Sequence, residues 1–176
     1  MTQKSGPGGC HRLITHIPLF QEEMGVDPYV SSVVKAIEDC KPWMHHNCAV
    51  WVRIGDVYRQ TVSPVVPDYT FPELMGIPWR FALEFQARGW HLYTCVAIRP
   101  EKADTDHDYL FRFGPGGRPL HVEGYHKADW WLEDDLGWVR HIVKGLPSGL
   151  VAYDPYQNPK IKAIVLEEQG SWLGDT

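Results

Sequence analysis

The chain has 176 residues, 44% of them hydrophobic and 22% charged, with a net charge of −5 and a pI of about 6.0. That length suits one domain of ordinary soluble composition. The 17 Lys and Arg are scattered through an acidic balance, which argues against a phosphate footprint and hence against a nucleic-acid partner. No apolar run approaches the roughly 18 residues of a membrane span, and the opening MTQKSGPGG has no apolar signal core. A cytoplasmic location follows as an expectation, with Cys10, Cys40, Cys48 and Cys95 as reduced thiols.

Residues 1–9, with Gly6, Pro7, Gly8 and Gly9, are expected as a flexible tail, and residues 10–176 as a single domain. Arg12 to Pro18 predicts a first strand. Asp27-Pro28 opens a helix, because Asp accepts an orphan backbone N–H and Pro suits the first helical position. Val30, Val33, Val34 and Ile37 then recur at helical spacing as one apolar stripe, which Lys41-Pro42 ends near Cys40. The apolar run Cys48 to Ile54, followed by Gly55-Asp56 and Val57 to Val62, predicts a hairpin. Residues 63–78 carry Pro64, Pro67, Pro72 and Pro78 and predict a long loop with one helical turn around Glu73.

Trp79, Phe81, Leu83, Phe85 and Ala87 alternate with Arg80, Ala82, Glu84, Gln86 and Arg88. A period of two predicts a strand with one wet and one dry face. Gly89 breaks the run and Trp90 to Ile98 reads as its partner. Tyr109 to Phe113, Gly114-Pro115-Gly116-Gly117 and Pro119 to Glu123 predict a third hairpin. A second helix is expected from Ala128 to Lys144 on Leu132, Leu136, Val139 and Val143, acidic at its start and basic at its end as the dipole favours. Short strands near Leu150–Tyr153 and Ile161–Leu166 close the chain. The fold expected is α+β: a mainly antiparallel meander of about six to nine strands with two amphipathic helices packed on one face.

Eight Trp, eight Tyr and six Phe supply many large flat side chains. In an antiparallel sheet covered by helices they would wall a cavity, with Trp51, Trp79, Trp90 and Tyr93 as walls and Glu84 or His91 as polar anchor. A carboxylate among aromatic rings suits a cationic or aromatic small molecule. This favours a non-catalytic ligand-binding module, with the loop 63–78 as its lid. A second reading is an acidic protein-interaction or inhibitor protein that meets its partner through Trp130. A third is a Cys–His hydrolase with Cys48 as nucleophile, His91, His121 or His126 as base and Asp154 as orienting acid. The residues after Cys48 read as a strand, however, and not as the helix that lowers a thiol pKa. No histidine or cysteine group has a recognised ligand spacing, so neither metal nor cofactor is expected. Unpaired edge strands invite a homodimer.

Overall fold

A computed structural model of the protein describes residues 9–98, 108–115, 136–144, 151–169 and 172. In chain order the elements are β1 (Cys10–His16), α1 (Val26–Glu38), β2 (Met44–Ile54), β3 (Tyr58–Val62), β4 (Thr70–Leu74), α2 (Ile77–Ala87), β5 (His91–Ile98), β6 (Asp108–Gly114), α3 (Gly137–Lys144), β7 (Ala152–Tyr153) and α4 (Pro159–Gln169). None of the described helices is long and apolar enough to cross a membrane.

The main sheet has the order β5-β6-β2-β1-β7. β1 pairs in parallel with both β2 and β7, whereas β6 runs antiparallel to β2 and to β5. β5 therefore points the same way as β1, β2 and β7, and β6 alone among these five is reversed. The expectation of a mainly antiparallel meander is corrected to a mixed, mostly parallel sheet. Parallel strands are buried on both faces and read as continuous apolar runs; Ala49 to Ile54 are all buried.

Alternation along the strands divides the core between two faces. Leu13, Val50, Val52, Phe111 and Phe113 point to one face, where α1 brings Val30, Val33, Val34 and Ile37 and α2 brings Phe81 and Phe85. Ile14, Trp51 and Leu110 point to the other, against Trp138, Val139, Ile142 and Val143 of α3 and Ile161, Ile164 and Val165 of α4. Helices thus cover both faces, and not one as expected.

The predicted strand 79–88 is helix α2. Its buried residues are Ile77, Pro78, Phe81, Ala82 and Phe85, a helical spacing, while Trp79 and Leu83 face outward. The segment contains no β-branched residue after Ile77 and is rich in Ala, Leu, Glu, Gln and Arg, which favour a helix. Gly89, at φ 88°, ends it: its N–H donates to the Gln86 carbonyl at 2.9 Å and the Trp90 N–H to Phe85 at 3.3 Å. The predicted strand 161–166 likewise lies in α4, where Ile161, Ile164 and Val165 make one buried stripe.

The expected 48–62 hairpin also differs. β3 leaves the main sheet and pairs with β4 in a separate two-stranded sheet, so the region around Glu73 is strand and not a helical turn. The helix expected over 128–144 is described from Gly137 onward, and the second arm of the 109–123 hairpin lies outside the described residues.

β5 and β6 meet closely at Gly114, where an added Cβ would stand 2.6 Å from the Tyr93 ring. Gly114→Ala is therefore expected to destabilise the protein by about 1–3 kcal/mol through overpacking. Urea unfolding measures it, and Tyr93→Ala in the same chain should restore part of the loss.

Candidate functional site

β1, α1 and β2 wind toward one side of the sheet, while β7 lies on the other side of β1. The strand order thus reverses between β1 and β7. In open α/β sheets ligands bind outside the carboxyl ends of strands at such a reversal. Two turns lie there: Ile17 to Phe20 after β1 and Asp154 to Asn158 after β7.

The turn after β1 is apolar, with Ile17 buried and Leu19 exposed. Tyr29 of α1 holds it: the hydroxyl donates to the Pro18 carbonyl at 2.5 Å and the ring meets Phe20 edge-on at 5.2 Å. Burial, with the nearby Tyr156, pushes the Tyr29 phenol above its ordinary range. The Tyr156 phenol is pushed up to about 12 by burial and by the Asp154 charge.

Asp154 organises the turn after β7. Its side chain is 0% exposed. Oδ1 accepts the Tyr156 N–H at 3.0 Å and Oδ2 the Asn158 N–H at 2.9 Å. Burial raises its carboxyl pKa, while the Thr15 hydroxyl and those two N–H groups pull it back down. The Asp154 carbonyl accepts from the Gln157 N–H and from the Gln157 side-chain amide, both at 3.0 Å, and Gln157 holds φ at 53°. Asn158 caps α4, its Oδ1 accepting the Lys160 N–H at 3.0 Å and the Ile161 N–H at 3.5 Å.

Asp56, just past β2, anchors the next segment of this edge. Its carboxylate accepts from Val57 and Gly76 at 2.9 Å and from Ile77 at 3.2 Å. One side chain thereby closes the base of the β3–β4 hairpin and caps the start of α2.

The structure disperses the residues expected to share a cavity. Trp51 lies in the α3–α4 face of the core and Trp90 in the α1–α2 face, stacked on Phe85 at 4.7 Å. Trp79 is 45% exposed on α2, edge-on to Tyr109 at 5.2 Å. Glu84 lies on the outer side of α2, accepting from Ser31 of α1 and from Arg88 at 3.2 Å. His91 is exposed on the edge strand β5. Tyr93 and Trp51 do converge, on the Arg112 guanidinium at 5.9 and 5.5 Å. Trp130, His121 and His126 lie outside the described residues.

Cys48 is buried, and β6 separates its strand from the strand of His91, so their backbones are roughly 10 Å apart. Cys48 instead adjoins Cys10, whose thiol is held well above its ordinary range by a hydrogen bond with Cys48 and by burial. The Cys40 thiol is pushed up to about 12, chiefly by burial. Such thiols stay protonated and inert. Among the described residues no group of three His, Cys, Asp or Glu is arranged to hold a metal ion.

At the opposite edge of the sheet, the His45 ring lies 4.7 Å from His11 and 4.0 Å from His46. His11 Nδ1 accepts the Val151 N–H at 3.4 Å. Burial, then His45 and Arg12, lower the His11 pKa below 6.5, so the folded state favours the neutral ring. Stability is expected to fall as pH drops below 6.5 and to level off beneath the lowered folded pKa. Thermal midpoints read across pH 7.5–4.5 (about three units) should show that slope in the wild type and a flatter one in His11→Gln.

Comparison with solved structures identifies this architecture. The putative DNA modification methylase TTHA0409 of Thermus thermophilus, complexed with S-adenosyl-L-methionine, superposes with a TM-score of 0.69 over 96% of this chain and 81% of its own, at 14% identity. The chain has the methyltransferase fold. PvuII DNA methyltransferase (cytosine-N4-specific) gives the same TM-score of 0.69, over 96% of this chain and 76% of its own, at 9% identity. In sequence, the type II methyltransferase M.SmaI of Serratia marcescens is 24% identical over 121 residues, 53% of this chain and 41% of the relative. M.Cfr9I of Citrobacter freundii is 24% identical over 144 residues, 60% of this chain and 48% of the relative. The chain spans less than half the length of these curated relatives. No family model matches it.

The methyltransferase fold is Rossmann-like, and these likenesses correct four expectations. The non-catalytic cavity binder gives way, as do the inhibitor and the Cys–His hydrolase: the similar proteins are methyltransferases by name. The exclusion of a nucleic-acid partner gives way too, because the similar solved structures are DNA methyltransferases by name. Net charge summed over a whole chain measures long-range attraction to phosphate and not whether a base enters a crevice.

Proposed function

We propose that this chain is part of a DNA methyltransferase, a methyltransferase-fold protein that works on DNA in the cytoplasm, with residues 10–176 as one domain. S-adenosylmethionine is the methyl donor of the proposed reaction and a DNA base its acceptor. The observation that carries the reading is the strand order β5-β6-β2-β1-β7 with β6 alone reversed, an order that superposes over 96% of the chain on DNA methyltransferases. Two type II methyltransferases similar in sequence support it independently. In this reading the carboxyl edge of the sheet faces the DNA. Asp56 fixes the β3–β4 hairpin there and Asp154 fixes the turn beside it.

Sequencing of native DNA from cells with and without the gene tests the proposal. Loss of a methylated sequence motif on deletion, restored by the full chain, is the expected result. An unchanged methylation pattern would refute it.

A further inference from the structure

We infer that this chain does not by itself hold S-adenosylmethionine, because the crevice at the strand reversal is closed by its own turn; the inference rests on the methyltransferase reading above. The donor carries a zwitterionic amino acid, a ribose diol and an adenine, and so needs several polar partners. Helix N-termini at such reversals supply them as free backbone N–H groups, and glycine lets the backbone come close.

Every backbone donor between Tyr156 and Lys162 is already engaged. Tyr156 and Asn158 donate to the Asp154 carboxylate, and Gln157 to the Asp154 carbonyl. Pro159 has no N–H. Lys160 and Ile161 donate to the Asn158 side chain, and Lys162 to the Asn158 carbonyl at 3.0 Å. The turn Asp154–Asn158 and the start of α4 contain no glycine, and Gln157 occupies the left-handed position with its own amide folded back on the turn. Asp154 is fully buried, so its carboxylate cannot reach a ribose. Across the crevice, Ile17 to Phe20 contribute apolar side chains, and the Pro18 carbonyl is taken by Tyr29. The described residues of the crevice do not fit the donor.

Equilibrium dialysis of the full chain against tritiated S-adenosylmethionine reads this directly. No saturable retention is expected with donor up to about 1 mM, the weak end of specific binding; saturation below that concentration would overturn the inference. Amide exchange on the same protein supplies a second readout and reports that the chain is folded. Exchange at Tyr156, Asn158 and Lys160 is expected to be slow and unaltered by donor, and a donor-dependent change there would overturn the inference. The two ideas separate cleanly. Methylation lost on gene deletion without donor binding upholds both, donor binding overturns only the closed crevice, and an unchanged methylation pattern overturns only the proposed function.

Discussion

Replacing Arg53 by methionine is expected to destabilise the protein by about 3–5 kcal/mol, because it strands a buried charge. Arg53 lies near the end of β2, and its Nε sits 2.8 Å from Asp108 Oδ2 with the two side chains 3% and 10% exposed. The Arg53 carbonyl also accepts the Ile17 N–H at 2.9 Å, so the ion pair stands where β1, β2 and β6 come together. Coulomb attraction alone does not decide the magnitude. Desolvation of two charges roughly cancels their attraction, and the large effect comes from leaving one without the other. Arg53→Leu with Asp108→Leu should therefore recover most of the loss and come within about 1–2 kcal/mol of the wild type. Urea unfolding of both variants decides it. A single variant within about 1 kcal/mol of the wild type would mean that water reaches Asp108.

Much of the frame was legible in the residues. The valine stripe of α1 has no other periodic reading, and Val30, Val33, Val34 and Ile37 are all buried in it. The run Cys48 to Ile54 was legible as a strand, and its lack of alternation already pointed to burial on both faces, the mark of a parallel neighbour. The antiparallel expectation came from 79–88 instead, where period two and period 3.6 both fit Phe81 and Phe85. Trp79 and Leu83 separate the two, and both are exposed. Propensity separated them too, since Ala82, Leu83, Glu84, Gln86 and Ala87 are helix formers. The cavity failed with the sheet: once 79–88 is a helix, Glu84 points at α1 and the tryptophans part to opposite faces. Asp154 was singled out for a different role. Its true signal was local, a short apolar strand followed by Asp154-Pro155 and then Asn158-Pro159, an Asx turn running into a helix cap. Which strands lie side by side depends on contacts far apart in the chain, and no local pattern encodes that.

Asp154→Ala should have an effect of similar size, about 3–5 kcal/mol, for a different reason. It removes no ion pair but orphans the Tyr156 and Asn158 N–H groups inside the turn, and each buried N–H left unmade costs about 1–3 kcal/mol. Asp154→Asn keeps one acceptor oxygen and presents an amide where the other N–H points, so a smaller loss of about 1–2 kcal/mol is expected. The pH dependence separates charge from shape. Burial raises the folded-state pKa of Asp154, so below the unfolded value of 3.8 the protonated side chain contributes its full share. That share is lost as pH rises through the raised folded pKa. Unfolding free energies of wild type and Asp154→Asn should therefore diverge most at low pH, with the wild type ahead, and converge as pH rises; parallel curves would refute a buried, raised carboxyl. The same variants bear on the closed crevice. Faster amide exchange at Tyr156 and Asn158 in Asp154→Ala, with the sheet still protected, would show that one carboxylate holds the turn shut.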